Sequence, residues 1–145
     1  MNLKIAVVGK VKDKHLLEKI KDYQKRISHD ARLEVLEIKD SRMELEGERL
    51  LEVMEREKGF ISLVLSEEGR ECTSREFSKM MEELGPKLLF VIGGPDGLHE
   101  NVKNRARVLL SLSKMTFTHE MARMFLLEQI YRALSLLNNR KYHRD

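Results

Sequence analysis

Two apolar runs that do not alternate, FISLVL at residues 60–65 with Ser62 as its one polar residue and LLFVI at 88–92, constrain this chain more than any other feature. A strand with one wet face alternates apolar and polar side chains. A run that is apolar at consecutive positions must be covered on both faces, which is the setting of a central strand in a parallel sheet. Shorter or weaker runs occur at Leu3–Val8, Leu33–Ile38 and Leu112–Phe117. Between these runs apolar residues recur at spacings of three and four: Leu16, Leu17, Ile20 and Tyr23, then Leu50, Leu51 and Met54, then Phe77, Met80, Met81 and Leu84. That period predicts helices. Ser41 with Glu44, and Thr73 with Glu76, have the spacing of a capping box at two of the helix starts. Strands and helices in alternation predict an α/β fold, an open and mostly parallel sheet flanked by helices.

A chain of 145 residues is long enough for one good core and too short to divide, so a single domain over residues 1–145 is expected. The net charge of +3 conceals an asymmetry: Asp40 to Glu71 holds 10 acids and 5 bases, which leaves 14 of the 24 acids against 22 of the 27 bases elsewhere. A basic excess of this kind suits a polyanionic partner such as RNA, and equally a well-solvated surface. Cys72 is the sole cysteine, which excludes an internal disulfide and a multi-thiolate metal site and fits a reducing, cytoplasmic setting. The first apolar run spans about six residues, too few for a secretory segment, and no run reaches membrane-spanning length.

Several chemistries can be excluded. There is no GxxxxGK[ST] and no GxGxxG, only Gly9 after the first strand. The five histidines (His15, His29, His99, His119, His143) are scattered, and HEMAR has Arg123 where a zinc-binding HExxH needs its second histidine. No GxSxG elbow exists, and Glu67, Glu68 and Glu71 before Cys72 should raise its pKa. One stretch remains unexplained: VIGGPDGLHE, residues 91–100, in which an apolar strand ends in three glycines, a proline and an aspartate. Such a loop turns sharply or lets its backbone approach a ligand, but Pro95 lacks an N–H, so a pyrophosphate nest is disfavoured and an uncharged or zwitterionic ligand fits better. In open α/β sheets ligands bind beyond the carboxyl ends of the strands, here Leu65–Gly69, Gly93–Gly97 and Leu112–Thr118. If the last strand lies beside the others, the three loops line one pocket.

Residues His119–Asn138 predict a helix whose apolar residues cover more than one stripe. Its second apolar face requires either a partner subunit or the centre of the monomer core, and a homodimer built on this helix is the expectation.

FVIGGPDGL, then LSLSKMTFTHEMAR, then LLEQIYRALSLLNNRKYHRD, at these separations, resembles the bacterial ribosomal large-subunit pseudouridine N3-methyltransferases, members of the trefoil-knotted SPOUT class. The resemblance spans the chain and is sharpest over its C-terminal third. It implies a C-terminal trefoil knot, a homodimer, S-adenosylmethionine as methyl donor and large-subunit rRNA as substrate, presented on the assembled ribosome. By position it implies cofactor contacts at Leu65, Gly93, Leu112, Ser113, Lys114, Met115, Thr116 and Phe117. It also implies catalytic or substrate-binding roles for His119, Arg123, Tyr142, His143 and Arg144, the last three completing the pocket of the opposite subunit. Glu128 is spaced for an ion pair with Arg132 and stands equally as a structural or a substrate residue. The family often has an aspartate where this chain has Ser66, and prolines where it has Thr118 and Glu120. Those departures leave open a non-catalytic RNA-binding protein of the same fold; a tRNA methyltransferase of the same class is a second alternative.

Overall fold

The computed structural model describes residues 1–145. Strands and helices alternate throughout: β1 (Asn2–Val8), α1 (Lys14–Ser28), β2 (Arg32–Ile38), α2 (Met43–Arg56), β3 (Ile61–Glu71), α3 (Ser74–Leu84), β4 (Lys87–Ile92), α4 (Glu100–Arg105), β5 (Val108–Ser111) and α5 (His119–Leu137). The five strands form one sheet in the order β2-β1-β4-β3-β5, and every pairing is parallel. The two non-alternating apolar runs thus occupy interior strands, where Leu63, Val64, Leu88, Phe90 and Val91 are fully buried. Covering each such side chain stabilises the fold by about 1.5–3 kcal/mol.

The sheet separates two apolar layers. One joins β1, β3 and β4 to α1, α3 and α5 through residues such as Ile5, Ile20, Met81, Phe90 and Leu126. The other, smaller, joins Ala6, Val8, Leu89 and Val91 to α2 and α4 through Leu50, Val53 and Val102. α5 packs against both α1 and α3, so part of its broad apolar girth is covered within the chain.

Three local expectations need correction. The pairing segment at the sheet edge is Val108–Ser111, and residues 112–117 follow it as a loop rather than forming the strand. There the Ser111 hydroxyl donates to the Ser113 carbonyl (2.8 Å) and Met115 N–H donates to Ser113 Oγ (3.0 Å), so short side chains satisfy polar groups of the backbone. Ser41 and Glu44 make no capping box: α2 begins after Arg42 without a side-chain cap, and Ser41 N–H instead donates to Glu46 Oε2 at 2.7 Å. β3 also runs six residues past Leu65, with a break in register. Leu65 and Arg70 both align with Leu110, which leaves Ser66–Gly69 without partners on β5. Thr73 and Glu76 do form their box at the start of α3, a device worth about 1 kcal/mol.

Candidate functional site

The loops expected to converge do so. A groove of about 1070 Å³ lies beyond the carboxyl ends of the strands, lined by Leu65–Glu67, Ile92–Leu98, Leu112, Ser113 and Met115–Ala122, with Asp13 and Leu16 of the β1–α1 segment completing one side. The end of the paired part of β3 brings Leu65 to it and the unpaired excursion brings Ser66 and Glu67, and Ser66 Oγ accepts from Glu68 N–H at 3.2 Å, which shapes that loop locally.

The GGPDG stretch now has a physical explanation. Gly97 N–H donates to Gly94 O at 3.0 Å, so Gly94-Pro95-Asp96-Gly97 is one hydrogen-bonded turn with proline at its second position and glycine, at φ 87°, at its fourth. Gly93 and Gly94 are glycine for lack of space. A Cβ on Gly93 would stand 2.7 Å from Leu98 Cγ, and one on Gly94 would stand 2.9 Å from Val8 Cγ1 and 3.1 Å from Glu46 Oε1. The turn is therefore packed tightly onto the end of β1 and α2, with its outer surface facing the groove.

α5 begins at the same place. Thr118 Oγ1 accepts from Met121 N–H at 3.2 Å and caps the helix, as its hydroxyl allowed. His119, half-buried, lines the groove with its ring against Gly9, Nε2 lying 3.7 Å from where a Gly9 Cβ would stand, and makes no hydrogen bond within the chain. Glu120 reaches to the β1–α1 loop, where its Oε1 accepts from both Lys12 N–H and Asp13 N–H at 3.2 Å. That clamp was not foreseen; the only sign of it in the sequence is that Glu120 departs from the family pattern.

The other residues singled out in the sequence stand elsewhere. Lys114 is the member of the 112–117 run that does not line the groove; it is exposed and pairs with Glu71 at 3.6 Å. Arg123, 5% exposed, gives Nη1 to Glu37 Oε2 of β2 at 2.9 Å, while its Nε is buried without a partner. This setting differs from the phosphate or base contact expected of it.

Tyr142, His143 and Arg144 do not line the groove either. The tail lies along the middle of α5, fastened by a chain of hydrogen bonds. Glu128 accepts from Arg132 and, at 3.1 Å, from Tyr142 Oη; Tyr142 Oη also meets Tyr23 Oη at 3.2 Å, and the Tyr142 ring stands edge-on to Tyr131 with centroids 4.7 Å apart. Burial, the Tyr23 contact and the Glu128 charge push the Tyr142 phenol upward. Arg132 Nη1 lies 3.2 Å from His143 Nδ1, and because a guanidinium only donates, Nδ1 must accept. Nε2 is then the protonated nitrogen and donates to Asp145 Oδ1 at 2.8 Å. Arg75 grips Asp145 in turn and, with His143, lowers its carboxyl to about 2.

A second cavity of about 270 Å³ sits behind the 112–117 loop, between Phe77, Leu110, Phe117, Phe125 and Cys72. The Cys72 thiol is pushed up, as expected, though burial first and Glu76 second are the causes rather than the acids that precede it. No group of three His, Cys, Asp or Glu side chains stands close enough to hold a metal ion, and no helix is long and apolar enough to cross a membrane.

Comparison with known proteins decides the family. The model of a family described as "Predicted SPOUT methyltransferase" matches residues 1–143. The chain belongs to the SPOUT methyltransferase family. It is 42% identical over 152 aligned residues to a protein of Acholeplasma laidlawii named ribosomal RNA large subunit methyltransferase H, covering 99% of this chain and all of that one. A protein of the same name from Streptococcus pneumoniae is 38% identical over 161 aligned residues with the same coverage. Among solved structures, a probable methylase family protein from Haemophilus influenzae superposes with a TM-score of 0.59 at 13% identity, over 99% of this chain and 70% of that one, a likeness of fold.

This SPOUT protein is accordingly a methyltransferase that uses S-adenosylmethionine. The groove suits such a donor. Its lining carries Asp13, Glu67, Asp96 and Glu120, acids that favour a sulfonium and an ammonium, while the Gly97 N–H is already taken by the turn and makes no phosphate nest.

Proposed function

We propose that this SPOUT methyltransferase methylates N3 of a pseudouridine in large-subunit rRNA, on the assembled ribosome, as a homodimer. The observation that carries this is the meeting of Leu65, Gly93, the 112–117 loop and a free His119 imidazole in one acid-lined groove; the names of the full-length relatives supply the class of RNA. S-adenosylmethionine supplies an electrophilic methyl group there. Backbone groups of Gly93–Leu98 and Leu112–Phe117 hold and orient it, Glu67 and Asp96 offset its positive charge, and the apolar Leu65, Leu112 and Phe117 keep water away. His119 Nε2 would accept the N3 proton as the N–CH₃ bond forms and the S–CH₃ bond breaks, its electron pair staying on sulfur as S-adenosylhomocysteine leaves. The base edge must stand in line with the donor, so positioning would provide most of the acceleration and proton transfer a smaller part.

The only rings in the groove that can stack on a base are Phe117 and His119, and the tail lies outside it. Tyr142, His143 and Arg144 therefore serve the partner's groove, with Met115 (75% exposed) and Phe117 (37% exposed) beside α5 as apolar surface for the subunit contact. The C-terminal segment reaches its place through the knotted threading of the class. A crystal structure of the cofactor complex tests both points, and a monomer in solution would refute the subunit arrangement.

Neither Thr118 nor Glu120 weakens the enzymatic reading, because one caps α5 and the other ties down a neighbouring loop. The reaction is tested by transfer of labelled methyl from S-adenosylmethionine to ribosomes lacking the modification, beside ribosomes made without pseudouridine. Label mapped by mass spectrometry to one large-subunit pseudouridine, and absent from the control, is the expected result. No label in either sample overturns the proposal.

A further inference from the structure

The β1–α1 segment KVKDK, residues 10–14, is not explained by cofactor binding. Lys10, Lys12 and Lys14 are all exposed, and none has a carboxylate within ion-pairing distance. The lysines on the opposite side of the groove differ: Lys103 is paired with Glu68 at 3.4 Å and Lys114 with Glu71 at 3.6 Å. Asp13, the one acid within the segment, is engaged as the cap of α1, where its Oδ1 accepts from His15 N–H and Leu16 N–H. The uncompensated positive charge of this rim is thus concentrated on one loop.

That loop is also held in place. Glu120, at the start of α5, accepts from two successive backbone N–H groups, and Gly9, at φ 84°, brings the chain out of β1 against the His119 ring. Three free ammonium groups therefore project from a tethered backbone at the edge of the groove, next to the imidazole. The groove lining carries Asp13, Glu67, Asp96 and Glu120 against Lys103, itself paired with Glu68, so a polyanion is not favoured within the groove and is drawn to the unpaired lysines beside it. A nucleic acid that presents one base to His119 must run its phosphates past that point.

We infer that Lys10, Lys12 and Lys14 form a clamp for the RNA backbone, positioned by Glu120, which holds the strand flanking the target base across the edge of the methyl-donor groove. The inference rests on the proposed RNA substrate. The ligand is recognised by phosphate charge and not by sequence, so its signature is in the salt dependence of binding.

The test compares the full-length wild type with a variant carrying Lys10→Gln, Lys12→Gln and Lys14→Gln, using protein-free large-subunit rRNA and assembled ribosomes as probes over a range of salt. Each lost phosphate contact should lower the slope of log K against log salt by about 0.7–0.9, so the triple variant should lose about 2–3 of slope and about tenfold or more in affinity at low salt, on both probes. Binding of S-adenosylmethionine, measured by calorimetry, should not change, which also reports that the variant is folded. Glu120→Ala removes a negative charge yet should weaken RNA binding, because the loop loses its tether; tighter binding would overturn the role given to Glu120. An unchanged slope and affinity in the triple variant would overturn the clamp. Loss confined to assembled ribosomes would overturn it in favour of an acidic ribosomal protein surface. Failure of the wild type itself to bind either probe would sink the RNA reading first, and the clamp with it.

Discussion

Gly69 offers a direct test of how the site is built. It ends the unpaired excursion Ser66–Gly69, where β3 leaves the ladder to present Ser66 and Glu67 to the groove and then returns to pair with Ser111 through Glu71. A Cβ at this position would stand 2.6 Å from both the carbonyl carbon and oxygen of Leu109 and 2.7 Å from Leu110 N. The obstacle is space rather than backbone angle, and the atoms in the way belong to a paired strand, so no side chain can swing aside. Overpacking of this kind costs typically about 1–3 kcal/mol, and a backbone neighbour puts Gly69→Ala at the upper end, about 2–3 kcal/mol. With a urea dependence of about 2 kcal/mol per M for a domain of this size, the unfolding midpoint should fall by about 1–1.5 M. Gly59→Ala is the matched control: nothing lies within 4 Å of its added methyl, so the change should be neutral or stabilising by about 0.4–1 kcal/mol through the unfolded chain. Because β5 leads directly into residues 112–117, Gly69→Ala should also weaken S-adenosylmethionine binding. Equal midpoints for the two variants would refute the argument from space.

Two further predictions concern the tail and acid. Tyr142→Phe removes the hydroxyl that bridges Glu128 and Tyr23, and should cost about 1 kcal/mol and speed hydrogen exchange at residues 140–145 with little effect on β4; unchanged exchange in the tail would show that the bond chain does not hold it. Asp30 is lowered by its Arg140 hydrogen bonds and Asp145 by Arg75 and His143, the latter to about 2. A carboxyl with a depressed folded value contributes stability above its unfolded value, near 4, and that stability is lost as pH falls through the folded value. Urea midpoints should therefore decline between about pH 4 and pH 2, and less steeply in Asp30→Asn; parallel curves would count against the pairing.

Much of the fold was legible because burial on two faces leaves an unmistakable trace: FISLVL and LLFVI could hardly be anything but interior parallel strands. β5 was misplaced because Val108–Ser111, only four residues long, carries too weak a pattern to compete with the apolar residues that follow it. α4, at six residues, was missed for the same reason. The capping box at Thr73 was readable since all its partners lie within four residues, whereas Ser41 and Glu44 have the same spacing but lose to Glu46, whose side chain takes the Ser41 N–H. At the site, the three convergent loops followed from the general rule for parallel sheets. The setting of Arg123 did not: its partner Glu37 is 86 residues away, and no local pattern reports such a pairing.

The departures from the family pattern are best understood together. A proline before or after His119 would fix the entry to α5 by restricting its own φ and that of its neighbour. Thr118 and Glu120 achieve a comparable restraint with hydrogen bonds, one to the helix and one across to the β1–α1 loop. The second bond does something a proline cannot, since it couples the position of His119 to a different segment of the chain, and that segment carries Lys10, Lys12 and Lys14. The imidazole assigned to the proton and the cations assigned to the phosphates are thereby held in one frame. The acids that suit a sulfonium line the groove while Lys10, Lys12 and Lys14 stand outside its lining, which suits a cationic donor within the groove and a polyanion beside it.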